Sequence, residues 1–386
     1  MQPPDGRLPL SIDDLGWFFA EGHRETADLA RRAAATLAGE QDAARVARRM
    51  GELGLYRLLA PEGRPDVRAL CLLREALGYA APLADAIFAV QGLGLQPVLA
   101  AAQPALRGTL LPAAVAGERI LGFALTEPEA GSDVAALRTT ARREGDDWVL
   151  SGDKAFISNV GIAHAFVVFA NANPSAGRKG ITAFLVPADA PGLAAEPQPM
   201  SIAHPIGRLV MRDCRVTAPN LLGEVGQGLK LALGTLDAFR VSVGAAAVGM
   251  ARRALDEALG HVARRVQFGK LLAAQPMVQA QLAEMATELD AARLLVLRAA
   301  RLRDDGTDRT PVETAMAKRY ATEAAQRIID RAVQLHGGTG VLSSSVVEHL
   351  YREIRPLRIY EGTSEIQHLI IGRALVERLV GKEALA

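Results

Sequence analysis

The chain has 386 residues, of which 49% are hydrophobic and 23% charged, a composition typical of a globular protein with two or three domains. Its formal net charge of +1 gives no reason to expect nucleic acid or another polyanion as a partner. The two cysteines, Cys71 and Cys214, lie far apart and do not suggest a metal site. The sequence shows no apolar N-terminal leader and no uncharged apolar run of roughly 18 residues, so we expect a cytoplasmic protein without a membrane span.

Residues 1–118 are predicted to form a helical domain. Ser11, Asp13 and Asp14 suggest a helix start, with a hydroxyl N-cap and acidic residues in the first turn. Ala-rich helical segments are predicted at residues 26–37, 43–53 and 67–77. Glycines and prolines are expected to separate the helices, at Gly51, Gly54, Pro61, Pro65, Pro82, Pro97, Pro104 and Pro112.

Residues 119–222 are predicted to form a β domain. Short runs separated by turn residues indicate strands at 119–126, 138–143, 148–151, 165–170, 180–186 and 209–216. Residues 145–147 and 151–153 have turn composition, which predicts hairpins between neighbouring strands. We therefore expect an antiparallel, barrel-like domain.

Residues 223–386 are predicted to be helical again. Long segments with helical spacing occur at 229–259, 276–304 and 311–335, and Pro311 suits the first turn of its helix. Helices of this length usually pack as an antiparallel bundle. The order of helices, strands and helices predicts an α+β fold and does not fit a doubly wound parallel sheet.

Two motifs in the β domain could bind a ligand. Thr126 ends a strand, and Gly131 and Ser132 open a loop that could wrap an anion with N–H groups and a hydroxyl, although a plain acidic turn has the same composition. No dinucleotide GxGxxG pattern is present, so a Rossmann site is not predicted. Phe156 and Ser158 lie two residues apart on one face of a strand and could cover a flat ring, unless Phe156 lies in the core.

Two further motifs lie in the C-terminal helices. Arg265 is predicted at the end of a helix that Gly269 terminates, where it could bind a phosphate or be an ordinary basic helix end. Gly337, Gly338 and Gly340 follow a helix and permit close backbone approach to a ligand, although a bare C-cap would also explain them.

The last motif surrounds Glu361. A carboxylate followed by Gly362 and Thr363 is unusual within a helix, since glycine is less favourable than alanine there by roughly 1 kcal/mol. We predict that Glu361 lies on a short turn between two helices, aimed away from their packed faces. The alternative is a solvated glutamate at a helix end.

In this order, the motifs resemble those of the acyl-CoA dehydrogenase family over nearly the whole chain. The resemblance rests on the segments 125–133, 156–159, 265–269, 334–340 and 360–363. It implies an N-terminal helical domain, a central β domain, a C-terminal four-helix bundle, bound FAD and a homotetramer built as a dimer of dimers. It also implies an acyl-CoA substrate and an electron-transfer flavoprotein as electron acceptor.

The resemblance assigns sixteen residues to FAD. Thr126 would contact the pyrimidine edge, Ser132 the pyrophosphate, Phe156 the isoalloxazine, and Ser158 would stand where the family usually has a threonine near N5. Others resemble motifs that hold the FAD of a neighbouring subunit or close over the chain's own. The whole set is Phe123, Leu125, Thr126, Gly131, Ser132, Phe156, Ser158, Arg265, Gln267, Phe268, Gln275, Gln334, Gly337, Gly338, Thr363 and Glu365.

The resemblance also implies the reaction. Glu361 would remove the α-proton of the thioester while its own N–H and a hydroxyl of FAD polarise the carbonyl, and the β-hydride would pass to flavin N5. Phe239 occupies the position where the branched- and long-chain subgroups carry their base, so the active site is of the short- and medium-chain type. By the same resemblance, the substrate-binding positions would be Asp237, Arg240, Gly362 and Arg373.

Three segments depart from the family pattern. Pro276 stands where the family often has a glutamine, with Gln275 just before it; residues 201–205 replace a Gly-x-Arg-x-Ser segment; and residues 63–65 replace a Tyr-Gly-Gly run. The acyl pocket is therefore expected to be altered. An acyl-CoA oxidase, a flavin monooxygenase relative or a subunit of a heteromeric dehydrogenase remain alternatives.

Overall fold

A computed structural model describes residues 12–13, 15–61, 63, 65–306 and 310–381. The chain forms two compact units: the first comprises Met1–Gly39, Asp66–Asp85 and Arg240–Ala386, and the second Glu40–Pro65 and Ala86–Phe239. The predicted helix start at Ser11 and Asp14 lies outside the described residues, as does Arg64 of the altered 63–65 segment. The division at residues 118 and 222 stays a prediction.

Ten α-helices occur in the described part of the chain. They are α1 (Gly22–Leu37), α2 (Ala43–Glu52), α3 (Val67–Ala80), α4 (Pro82–Ala101), α5 (Pro104–Val115), α6 (Gly228–Val262), α7 (Pro276–Asp304), α8 (Pro311–His336), α9 (Val346–Ile354) and α10 (Ser364–Val380).

Ten strands are also described. They are β1 (Leu121–Ala124), β2 (Thr140–Glu144), β3 (Asp147–Ser158), β4 (Ala165–Asn171), β5 (Ile181–Pro187), β6 (Leu193–Pro197), β7 (Ile206–Val216), β8 (Leu221–Leu222), β9 (Val266–Gln267) and β10 (Lys270–Leu271). Strands and helices together confirm the predicted α+β class.

Capping residues and prolines set many helix starts. The Asp42 side chain accepts a hydrogen bond from the Arg45 N–H at the start of α2, and Pro311 occupies the first turn of α8, as predicted. Two expected breaks are wrong, because Pro97 lies inside α4 and Pro112 inside α5. Tertiary burial overrides local preference in α4, where Leu95 and Val98 are fully buried.

The first unit is built on close packing between α3 and α6. A Cβ added to Gly78 would overlap the carbonyl of Ala246, and one added to Gly249 would overlap the carbonyl of Glu75. Small residues therefore bring the two backbones together and set the distance between the polar side chains that both helices carry. A core of mostly alanine and β-branched residues continues from α6 into α7, α8 and α9.

The second unit contains an eight-stranded sheet. Its order is β6-β7-β3-β2-β4-β5-β8, with β1 paired to β4. The expectation of a purely antiparallel domain is wrong, since β1 and β2 both pair with β4 in parallel. The turn at Gly145 joins β2 and β3 as predicted, whereas Gly152 lies within β3, at a register shift where its missing Cβ makes room for Thr139.

Burial explains the environment of the two cysteines and the apolar character of two long helices. Cys71 and Cys214 are both buried free thiols, as expected from their apolar neighbours. Helices α4 and α6 each contain an 18-residue window apolar enough to cross a membrane, but 78% and 67% of these windows is buried within the protein. Burial of this extent is typical of core helices.

Candidate active site

Glu361 lies on a strained turn in the first unit. The turn follows a short 3-10 helix (Arg355–Arg358) and ends where Thr363 caps α10 by accepting a hydrogen bond from the Ile366 N–H at 3.3 Å. Glu361 has φ of 52° and Gly362 has φ of 89°. A non-glycine residue with positive φ is uncommon and often marks a functional site. The predicted turn is confirmed.

The side chain of Glu361 is buried, with 9% of the residue exposed, which excludes the solvated alternative. Burial raises its pKa, and the cationic side chains of Arg74, Lys318 and Arg240 oppose that rise without cancelling it. Its Oε2 atom is buried and has no hydrogen-bond partner among the residues that the structure describes. A carboxylate with a raised pKa and a free oxygen is suited to accept a proton.

Two donors fix the backbone beside Glu361. The carbonyl of Gly362 accepts hydrogen bonds from Lys318 Nζ and from Gln367 Nε2, both at 2.8 Å. Lys318 is fully buried, and burial lowers its pKa to about 8. Its mid-helix position in α8 gives no sequence signal, so sequence reasoning missed it.

A buried ion pair lies in the same unit. Arg74 of α3 donates from Nε to Asp85 Oδ1 at 2.8 Å and from Nη2 to Asp85 Oδ2 at 2.9 Å, and its Nη1 donates to Ser242 Oγ at 2.9 Å. Arg74 and Asp85 are almost completely buried. Arg74 is the cation that most strongly opposes the raised pKa of Glu361. The sequence offered no sign of this pair, because charges on helices are usually solvated.

In the second unit, the loop after Thr126 is anchored by a buried carboxylate. Glu127 accepts hydrogen bonds from the N–H groups of Arg138 and Thr139 at 2.6 and 3.0 Å and from Lys154 Nζ at 2.7 Å. Burial alone would raise the pKa of Glu127, but Lys154 and the backbone donors lower it overall. The alternative of a turn is correct in its backbone, since Glu127 and Ala130 exchange N–H to carbonyl hydrogen bonds of 3.0 and 3.2 Å, but the Glu127 side chain is buried and anchors the turn. The exposed loop at residues 131–133 follows it directly.

Phe156 points out of the sheet. The register of β3 against β7 shifts between Lys154 and Ile157, and Phe156 has φ of 57° within this bulge. Phe156 is 67% exposed, whereas the neighbouring Ile157 is 2% exposed. The alternative that placed Phe156 in the core is wrong. The Ala155 N–H bonds to the carbonyl of Thr126 at 3.0 Å, which brings the loop motif beside the bulge.

The Arg265 segment differs from its prediction. Helix α6 ends at Val262, and the segment forms a hairpin of β9 and β10 whose two loop residues, Phe268 and Gly269, have φ of 51° and 72°. Positive φ at both loop residues is typical of a type I′ turn. Gly269 therefore does not end a helix, and Phe268 is 96% exposed at the hairpin tip.

A histidine stack joins this hairpin to the glycine motif after α8. The rings of His261 and His336 lie with centroids 4.4 Å apart. His261 accepts at its carbonyl from the Arg265 N–H at 3.0 Å, and His336 directly precedes Gly337, whose φ is 58°. The Arg265 hairpin and the glycine motif after α8, which are both exposed and offer hydrogen-bond donors, therefore lie close together in the first unit.

Other predicted residues have varied surroundings. Leu125 is buried and could contact a ligand only through its backbone, whose carbonyl already accepts from Lys154 Nζ at 3.2 Å. Phe123 is half-buried against Phe169, with ring centroids 5.0 Å apart. Arg373 is exposed and donates to a glutamate of its own helix at 2.7 Å.

The two units divide the predicted residues between them. Those in the first unit are Arg240, Arg265, Gln267, Phe268, Gln275, Gln334, Gly337, Gly338, Glu361, Gly362, Thr363, Glu365 and Arg373. Those in the second unit are Phe123, Leu125, Thr126, Gly131, Ser132, Phe156, Ser158 and Asp237.

The residues of the second unit fit a flavin. Phe156 offers an exposed flat face, and Thr126 and Ser158 supply hydroxyl donors from the adjoining loop and from the same strand. Gly131 and Ser132 add exposed backbone N–H groups on the anchored loop, of the kind that bind pyrophosphate. In the first unit, exposed Arg265 could pair with a phosphate.

Comparison with known proteins gives consistent matches. Residues 122–214 match the family model for the acyl-CoA dehydrogenase middle domain, and residues 226–376 match that for the C-terminal domain. The chain is 41% identical over 337 residues to the mitochondrial short-chain specific acyl-CoA dehydrogenase of Mus musculus, which covers 85% of this chain and 82% of that protein.

Two further matches cover still more of the chain. It is 35% identical over 377 residues to the 3-(aryl)acrylate reductase of Clostridium sporogenes, which covers 93% of this chain and 100% of that protein. The structure is similar to that of a glutaryl-CoA dehydrogenase from Mycobacterium smegmatis in complex with FADH2. That similarity has a TM-score of 0.87 at 28% identity and covers 95% of this chain and 98% of the other.

Proposed function

Because the chain belongs to the acyl-CoA dehydrogenase family, we propose that it converts an acyl-CoA thioester to a trans-2-enoyl-CoA, with Glu361 as the base that removes the α-proton. The observation that carries this proposal is the environment of Glu361: a buried carboxylate with a raised pKa, held on a turn with positive φ, whose Oε2 has no hydrogen-bond partner in the described part of the chain. Such a group is a stronger base than a solvated carboxylate and is held in a fixed orientation.

The chain's own residues prepare Glu361 for proton transfer. An α-proton of a thioester is far less acidic than a carboxylic acid, so the reaction needs a desolvated base and a polarised carbonyl. Lys318 and Gln367 hold the carbonyl of Gly362 and so restrict the backbone that carries the base. Arg74 and Arg240 lower the pKa of Glu361 and so favour its ionised form, which is the form that accepts a proton.

FAD is the cofactor of this family, and bound FAD supplies the acceptor for the hydride that leaves the β-carbon. Phe156, Thr126 and Ser158 would hold its ring system, and the loop at residues 131–133 its pyrophosphate. The exposure of Phe156 supports this role, because a large aromatic side chain at a strained bulge has no packing reason to face outward.

Glu361 is the base that the proposal requires because the other location of a base in the family is filled by a phenyl ring. Phe239 is 2% exposed, and a Cβ added to Gly92 would overlap its ring. The ring is thus locked in a notch of α4 and offers no proton acceptor. This arrangement supports an active site of the short- and medium-chain type, in which the base is Glu361.

Assembly, electron transfer and location complete the proposal. We expect a homotetramer, since α10 exposes the apolar side chains of Leu369, Leu375 and Leu379. An electron-transfer flavoprotein is the expected electron acceptor. The free thiols of Cys71 and Cys214 support a reducing compartment such as the cytoplasm.

Anaerobic flavin reduction tests the proposal. The holoenzyme is mixed without oxygen with straight, branched, glutaryl and aryl acyl-CoAs, the absorbance of oxidised flavin is followed, and the product is identified by mass. We expect at least one acyl-CoA to bleach the flavin with formation of its 2-enoyl-CoA. The Glu361→Gln variant should keep FAD but not bleach, while the exposed control Glu118→Gln should behave as the parent.

Bleaching by no acyl-CoA in a FAD-loaded enzyme, or equal bleaching by Glu361→Gln, would contradict the proposal. Rapid reoxidation by oxygen with peroxide release would favour an oxidase. Inactivity alone, with restoration by a co-purified homologous chain, would favour a heteromeric enzyme.

A further inference from the structure

An unexpected hydrogen bond occupies the hydroxyl of Ser158. Ser158 ends β3, and its Oγ lies 2.9 Å from Nε2 of His204, in the segment that departs from the family pattern. His204 lies two residues before the start of β7, and that segment is tied to the end of β3 by two further backbone contacts. The Asn159 N–H donates to the carbonyl of Pro205 at 2.7 Å, and Ile206 is the register partner of Ser158.

Serine at this position needs an external restraint. A threonine is limited at χ1 by its β-branch, whereas a serine side chain passes between three staggered positions more freely. A hydroxyl also has one donor and two acceptor lone pairs, and its rotation decides which of these faces a ligand. The contact with His204 removes this freedom, because the imidazole is itself held by a segment in register with β3.

The imidazole is neutral under ordinary conditions, since burial lowers the pKa of His204 to about 4. A neutral ring carries a proton on one nitrogen. If Nε2 carries it, His204 donates to Ser158 Oγ and the serine proton is free to point elsewhere. If Nδ1 carries it, Nε2 accepts a hydrogen bond from the serine hydroxyl, which can then no longer donate to a ligand.

We propose that His204 is a positioning residue, whose Nε2–H donates to Ser158 Oγ and thereby directs the Ser158 hydroxyl as a hydrogen-bond donor towards bound flavin. This inference rests on the proposed function for the placement of Ser158 beside the flavin. It explains how a chain with serine where its family usually has threonine keeps an oriented hydroxyl: the histidine supplies the restraint that the missing methyl group would give.

A double-mutant cycle on FAD binding tests the coupling. Apoprotein is prepared for the parent, His204→Gln, His204→Ala, Ser158→Ala and the combinations, and FAD dissociation constants and flavin reduction potentials are measured. We expect either His204 variant to weaken FAD binding about tenfold, the scale of one or two hydrogen bonds. In the Ser158→Ala background the same change should have almost no effect.

Rescue distinguishes orientation from general packing. Ser158→Thr should restore most of the FAD affinity and the parental potential in the His204→Ala background, because the β-branch replaces the lost restraint. The matched control is His164→Gln, a histidine of the same unit that accepts from the Ile120 N–H at 3.1 Å. Any effect of the control should be the same in the parent and in the Ser158→Ala background.

The tautomer is read directly by long-range 1H–15N NMR of the holoenzyme labelled at histidine, with the His204 signals assigned from their loss in His204→Gln. We expect a protonated Nε2 and an unprotonated Nδ1 at pH 7. A protonated Nδ1, or equal effects of His204→Ala with and without the Ser158 hydroxyl, would overturn the inference. Neither the FAD-binding cycle nor the NMR measurement depends on acyl-CoA turnover. If no acyl-CoA bleaches the flavin but the double-mutant cycle shows the expected coupling, only the proposed reaction is refuted.

Discussion

Lys318 gives the sharpest test of how the fold tunes its base. In Lys318→Met, the carbonyl of Gly362 keeps only the bond from Gln367, and Glu361 loses one of the cations that oppose the effect of its burial. A hydrogen bond to a charged donor contributes about 1.5–3 kcal/mol. If this restraint acts in the transition state, kcat/KM at pH 7 should fall roughly ten- to hundredfold.

The pH profile gives the sign of the effect. Glu361 accepts a proton only as a carboxylate, so activity rises as the pH passes upward through its pKa. Because Lys318 lowers that pKa, its removal should raise it further and move the acidic limb of kcat/KM to higher pH. The free energy of unfolding should change little, since removing a buried ammonium relieves a desolvation penalty that offsets the lost hydrogen bond.

The assay is kcat/KM between pH 5 and 9 with an artificial electron acceptor, alongside FAD content and urea unfolding. The matched control is Lys230→Met, which removes an exposed lysine and should leave the acidic limb in place. An unmoved limb, or one shifted to lower pH, with FAD retained, would refute the assigned role of Lys318.

Three other substitutions test the packing around the base. Asp85→Asn should lower the free energy of unfolding by about 3–5 kcal/mol, because it leaves the guanidinium of Arg74 buried without its counter-ion. Gly249→Ala should lower it by about 1–3 kcal/mol, since the added methyl overlaps the carbonyl of Glu75 between α3 and α6. Gly362→Ala should lower it by about 1 kcal/mol through its φ of 89° and reduce turnover more strongly, because the turn must shift.

Urea or thermal unfolding measures all three, with the exposed, sterically open Gly108→Ala as a control for added methyl groups. Parental stability in Asp85→Asn would show that Arg74 finds another partner. Full stability in Gly249→Ala would contradict the close approach of α3 and α6, and full activity in Gly362→Ala would contradict a requirement for the turn geometry.

Local rules predicted much of the helical structure. The helix at Pro276–Asp304 has its predicted bounds, because a proline suits the first turn and apolar spacing continues to the acidic end. The parallel pairing of β1 with β4 was not predicted, since it joins segments about forty residues apart and depends on the whole sheet. The Phe268-Gly269 hairpin was missed because a phenylalanine with positive φ gives no local signal.

The site was predictable where it depends on motifs and not where it depends on burial. The turn at Glu361 follows from a carboxylate, a glycine and a capping threonine in succession. Lys318 and Arg74 escaped notice because sequence alone does not show that a helix buries a charge. His204 stood in a segment recognised as a departure, but its bond to Ser158 depends on the register of β7 against β3.

The central claim is that Glu361 removes the α-proton, and the rate of anaerobic flavin reduction in Glu361→Gln tests it most directly. With the acyl-CoA that bleaches the parent fastest, at saturation and pH 7, we expect the rate to fall by roughly 10²–10⁴-fold while FAD content and folding stay unchanged. A rate within a few-fold of the parent in a fully FAD-loaded variant would contradict the assignment of the base.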